Sequence, residues 1–133
     1  MANEYICFGK GSPFSDVVVV DGEMLYLSGM VSQDFETGEM LRGDITAETR
    51  QTLNNMEMVL KRCGSDMGHV IRVEVLLHDI ADRAEMNAEY VQHFPAGKLP
   101  VRVCYGGVDL AAGCKIEIMA IAKKQSDRKG ETL

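Results

Sequence analysis

Two short alternating segments near the C-terminus, Val101–Tyr105 (VRVCY) and Lys115–Ala122 (KIEIMAIA), set one arginine, Arg102, and one glutamate, Glu117, among mostly apolar neighbours. Arginine is the side chain best suited to a small carboxylate, because its planar fork offers two parallel charge-assisted hydrogen bonds. A glutamate beside it can orient and activate a water molecule as a general base. An adjacent guanidinium would also favour the ionised carboxylate, ready to accept a proton at neutral pH. Both segments alternate at period 2, the pattern of half-buried strands. Folded back as an antiparallel hairpin centred between Asp109 and Leu110, they place Arg102 directly opposite Glu117 on one side of the sheet. The same pairing also suits a plain cross-strand salt bridge, and the residues alone leave both readings open.

The elements that must position this pair are legible from the N-terminus onward. Glu4–Phe8 reads as a short strand and Asp16–Val20, with four consecutive valines, as a strand buried on both faces. Asp21-Gly22 is a hairpin turn signal, and Met24–Gly29 is the returning strand. Asp44 or Thr46 can cap a helix whose apolar stripe is Leu53, Met56, Leu60 and Cys63, with Gly64 as its stop. His69–Leu77 alternates again, with Ile71, Val73, Val75 and Leu77 expected on one side. Ala81–Phe94 reads as a second helix with Met86, Tyr90 and Phe94 at spacing four. The result is an α+β fold: one mostly antiparallel six-stranded sheet with two helices on one face, spanning residues 1–122, and a polar tail over 123–133. The valine strand and the Ile71–Leu77 strand are too apolar on both sides to be left wet, which predicts burial against further subunits.

Composition narrows the function. A chain of 133 residues with 46% apolar and 26% charged residues is an ordinary single domain. Its net charge of −6 argues against a nucleic-acid footprint. No apolar run approaches the length of a membrane span, and the opening MANEYICFGK is too polar for a signal peptide. The cysteines Cys7, Cys63, Cys104 and Cys114 show neither C-x-x-C pairing nor zinc-ligand spacing, so reduced thiols, no metal and a cytoplasmic location are expected.

Pro100-Val101-Arg102, then Cys104, then Ile116-Glu117-Ile118 resembles the signature of the RidA/YjgF/UK114 family of imine and enamine deaminases, and the likeness runs from about Gly11 to Ala122. The resemblance implies a chorismate-mutase-like fold assembled as a homotrimer with sites at the subunit clefts, and no cofactor. It implies a hydrolase of the 2-iminobutanoate/2-iminopropanoate deaminase type, converting 2-enamine or 2-imino acids to 2-oxo acids and ammonia. Arg102 would clamp the substrate carboxylate, Glu117 would position the water, and the Cys104 backbone would help seat the substrate. Ser28 and Gly29 match the Ser-Gly at the family's site floor, and Asn87 matches an asparagine near the ligand. On residue type alone, Ser28 is a strand-end hydroxyl bonded to backbone, and Asn87 a solvated or backbone-bonding residue. The family's Gly-Pro-Tyr is here Ser12-Pro13-Phe14, which keeps the ring and loses the hydroxyl. A non-catalytic module that binds a carboxylate metabolite through Arg102 is the competing reading, with ribonuclease or chaperone-like activity behind it.

Overall fold

Asp21 and Gly22 form the expected hairpin turn, both at positive φ (55° and 66°), as a turn matched to strand twist requires. The turn joins β2 (Val17–Val20) to β3 (Met24–Leu27), and β1 (Glu4–Ile6) pairs on the outer side of β2. A computed structural model describes residues 2–9 and 11–125. Its remaining elements are α1 (Ile45–Arg62), β4 (Val70–Leu77), α2 (Arg83–Tyr90), β5 (Val101–Tyr105) and β6 (Ile116–Lys123). Short 3-10 turns at Ile80–Asp82 and Val91–His93 bracket α2, dividing what the sequence suggests is one helix. β6 runs one residue into the expected tail, and residues 126–133 of that tail lie outside the described residues.

The sheet order is β1-β2-β3-β6-β4-β5, six strands that are antiparallel except for the β4–β5 pair. This corrects the expected hairpin. β4 is inserted between β5 and β6 and runs parallel to β5, so Arg102 pairs with Val73 while Glu117 pairs with Leu76. The connection from β5 passes beyond β4 before β6 enters antiparallel. β4, apolar on alternate positions along its whole length, is the strand that gains most from a central place.

One sheet face carries the core. Val17, Val19, Leu25 and Leu27 join Val73, Val75, Leu77, Ile116, Ile118, Ala120 and Ala122 beneath Leu53, Met56, Leu60 and Met86 of the helices. Asp44 caps α1, its carboxylate accepting from Ala47 N at 2.8 Å, and Gly64 follows the helix at φ 78°. A register shift between Val70 and Arg72 changes one expectation. Val70 takes the core position and Ile71 turns outward, 44% exposed. The opposite face has no helix over it and presents Val18, Tyr26, Glu117, Met119, Val103 and Tyr105. Of the four valines only Val17 and Val19 are fully buried, with Val18 and Val20 half-buried on this open face.

Candidate functional site

The predicted site residues fall into two groups. Arg102 and Cys104 lie on the helix-covered face of β5, because they pair with the core residues Val73 and Val75. Glu117 pairs with Leu76 and so lies on the open face of β6. The two side chains therefore point to opposite sides of the sheet, two strands and three residues apart. At about 4.8 Å between strands and 3.3 Å per residue, their Cα atoms are about 14 Å apart. One chain does not bring them side by side.

Around Arg102 the surroundings are aromatic and soft. Its guanidinium carbon is 4.8 Å from the centroid of the Tyr90 ring, and a terminal nitrogen is 3.9 Å from Met86 Sδ. No carboxylate pairs with it among the described residues. Glu89, the acid next to Tyr90 in the chain and 6% exposed, is already engaged: it takes Arg50 Nη2 at 2.9 Å and His93 Nε2 at 2.7 Å. The Arg50 hydrogen bond, followed by that of His93, holds the Glu89 carboxyl below its usual range despite burial. This tie docks α2 on α1 and so fixes the helix that carries Met86, Asn87 and Tyr90. Asn87 Oδ1 is buried with no hydrogen-bond partner, which suits neither a solvated surface residue nor a local backbone bonder. Burial also pushes the Tyr90 phenol up to about 12, and its oxygen too lacks a partner.

The second group runs from Glu117 toward the β1–β2 side of the sheet. Gly29 lies directly against it: a methyl carbon placed on Gly29 would be 2.7 Å from Glu117 Cδ and 3.0 Å from its Cγ. Glycine here is a matter of space, since its φ is not in the left-handed region. Ser28 Oγ donates to Asp16 O at 3.3 Å, the strand-end role that its residue type suggests. Phe14, 55% exposed, stands two residues before Asp16 at the β1–β2 end, the far side of the sheet from β5.

Burial pushes the Glu117 carboxyl above its ordinary range, with no cation opposing the shift. The expectation that Arg102 keeps Glu117 ionised is therefore corrected, for the reason of distance already given. A raised carboxyl is a stronger base once ionised and keeps its proton to higher pH, so one group can take a proton from water and hold it for a departing amine. The strand beneath it is anchored by Glu48, 1% exposed, whose carboxylate accepts from Lys115 N at 2.9 Å and Gly43 N at 3.3 Å. Glu48 stands in the first turn of α1, and its tie to the start of β6 spans 67 residues, a contact with no local signal in the sequence.

Among the described residues no cluster of three or more His, Cys, Asp or Glu side chains could hold a metal ion. A shallow depression on the open face, lined by Tyr26, Arg72, Glu74, Met119 and Ile121, contains none of the predicted site residues. No helix of the described residues is long and apolar enough to cross a membrane.

Comparison with known proteins agrees with the fold and the motif. The family profile described as Endoribonuclease L-PSP matches residues 9–124. A human protein named 2-iminobutanoate/2-iminopropanoate deaminase is 37% identical over 114 residues, 86% of this chain and 82% of its own. A RutC family protein of Pyrococcus horikoshii is 38% identical over 113 residues, covering 85% of this chain and 88% of that one. A crystal structure of a Rid family protein from Yersinia pestis superposes with a TM-score of 0.85 at 26% identity, covering 92% of this chain and 99% of the other. Imine deaminase names among mammalian relatives support a hydrolase-type role at the level of the family. With its strand order, its Arg102 and Glu117 motifs and these likenesses taken together, the chain belongs to the RidA/YjgF family.

Proposed function

We propose that this protein hydrolyses 2-imino acids, and the 2-enamine acids that tautomerise to them, to 2-oxo acids and ammonia. The observation that carries the reading is Arg102, a half-buried guanidinium with no carboxylate partner among the described residues. A charge left unpaired in sheltered surroundings is costly unless a ligand completes it. A substrate carboxylate would do so through two charge-assisted hydrogen bonds, each contributing on the order of 1.5–3 kcal/mol.

In the reaction, Glu117 accepts a proton from water as the water oxygen bonds to the imine carbon. The imine enters protonated, so the tetrahedral carbinolamine already carries an NH2 group. It then collapses as the proton held by Glu117 passes to that nitrogen, the carbon–nitrogen bond breaks and ammonia leaves. The hydroxyl proton returns to the Glu117 carboxylate as the 2-oxo group forms, to be released to solvent. No electron acceptor is needed, and the enamine form enters by protonation at its β-carbon. Phe14, Ser28, Gly29 and Asn87 shape the pocket in this reading, and the Cys104 backbone seats the substrate.

A three- or four-carbon substrate is far shorter than the separation of Arg102 and Glu117 within one chain. The complete site is therefore formed between copies, with the Arg102 edge of one chain meeting the Glu117 face of another in a homotrimer. The uncovered face bearing Val18, Tyr26, Met119 and Val103 supports such an assembly. Because Arg102 can bind a carboxylate without Glu117, a non-catalytic metabolite-binding role is the second reading. The deciding experiment generates 2-aminoacrylate and 2-iminobutanoate in situ and follows 2-oxo acid release. Acceleration by the wild type and its loss in Glu117→Gln, with pyruvate binding retained, support the enzyme. Equal rates in both proteins would refute it.

A further inference from the structure

Arg102 is held without being neutralised. A carboxylate partner would occupy the donors of the guanidinium fork, whereas an aromatic face attracts the cation and accepts none of its in-plane N–H groups. Tyr90 supplies such a face, with its ring centroid 4.8 Å from the guanidinium carbon, and Met86 Sδ lies 3.9 Å from one nitrogen. The platform itself is immobile by construction. Tyr90 is 4% exposed, its ring lies 4.8 Å from that of Phe94 at a 45° tilt, and its neighbour Glu89 is clamped by Arg50 and His93. A long arginine side chain on an edge strand would otherwise lose considerable rotamer freedom on gripping a ligand.

We propose that Tyr90 is a positioning residue: its ring aims the Arg102 fork and thereby sets affinity for the carboxylate of the ligand. This rests on the Arg102 clamp proposed above. The ring carries the role and the hydroxyl does not. The Tyr90 oxygen has no hydrogen-bond partner, so replacing it by hydrogen removes a buried unsatisfied group and keeps the platform.

The test uses pyruvate and 2-oxobutanoate as binding probes for the full-length protein, measured by calorimetry beside the steady-state kinetics. Tyr90→Phe should bind within about twofold of the wild type, while Tyr90→Leu should weaken binding about 3- to 30-fold, the range of a partly desolvated cation–π contact. KM should rise by a similar factor with kcat nearly unchanged; a merely structural role would instead lower the active fraction and leave KM alone. A second measurement serves if Tyr90→Leu fails to fold. The chain has four tyrosines and no tryptophan, so ligand binding should change the tyrosine band of the near-ultraviolet circular dichroism through Tyr90, read apart from the longer-wavelength band that bound pyruvate itself acquires. Tyr90→Phe should abolish that change while keeping the affinity. Wild-type binding by Tyr90→Leu, equal losses in the Phe and Leu variants, or a dichroism change that survives in Tyr90→Phe would each overturn the proposal. A protein that binds pyruvate through Arg102 but lacks deaminase activity would refute the proposed reaction and still decide the role of Tyr90. One that binds pyruvate no better than Arg102→Ala would overturn the clamp and the Tyr90 platform together.

Discussion

Gly29→Ala should disable the proposed imine hydrolysis while leaving the fold nearly intact. The added methyl would overlap Glu117 Oε2 and stand 2.7 Å from Cδ and 3.0 Å from Cγ. Ordinary carbon contacts begin near 3.4 Å, so the carboxylate must retreat by about 1 Å or change rotamer. Glu117 is half-buried on the face that no helix of its own chain covers, so a change of rotamer there costs about 0.5–1.5 kcal/mol. Alanine also brings no backbone strain at this φ. The chemistry is less tolerant, because a general base must stay within hydrogen-bond reach of its water, and a displacement near 1 Å costs about 10²-fold. The expected result is a fall of about 10²-fold in the rate of imine hydrolysis, with pyruvate binding through Arg102 preserved and unfolding shifted by no more than about 1.5 kcal/mol. A double-mutant cycle sharpens the test: added to Glu117→Gln, Gly29→Ala should cause almost no further loss, since both act through one carboxylate. Wild-type activity in Gly29→Ala, or fully multiplicative losses in the double variant, would refute the placement of Glu117 as the base.

Three further perturbations follow from the same geometry. Burial raises the Glu117 carboxyl, so its ionisation opposes folding: that penalty is absent below the ordinary glutamate range and grows as pH rises toward the raised value. Glu117→Gln should therefore be more stable than wild type at neutral pH by denaturant titration, and the two should converge in acid. In the wild type, activity should rise with pH along a limb set by this raised carboxyl, and a limb in the ordinary carboxylate range would contradict it. Gly106→Ala would drive a methyl into Ile80, 2.9 Å from its Cα, where backbone rather than a flexible tip must yield. A loss of about 1–3 kcal/mol is expected from chemical denaturation. Met119→Glu, which places a charge on the open face, should shift sedimentation toward monomer and remove activity together; an active monomer would refute a site shared between copies.

Much of this protein was readable in one dimension because the relevant forces are local. The period-2 runs, the Asp21-Gly22 turn, the Asp44 cap and the Gly64 stop each depend on neighbours within a few residues. The structure keeps the turn, the cap, the stop and the alternation of β5 and β6, with Ile71 leaving its run at the register shift of β4. The motif around Arg102 and Glu117 likewise sufficed to identify the family, because residue type, spacing and strand phase were all available. The partnership between those two residues was not. Consecutive strands usually pair, and the hairpin reading followed that tendency, whereas the parallel insertion of β4 depends on burying an apolar strand on both edges. That choice moved Arg102 and Glu117 to opposite faces and removed the expected electrostatic coupling between them. Tertiary packing alone also set Tyr90 beneath Arg102, Gly29 against Glu117, and Glu48 beneath the start of β6. Each of these is a contact between segments remote in the chain, where distance along the sequence carries no information about distance in space. The opening pair of ionic residues thus stands on opposite faces of the sheet, each with its own buried neighbours.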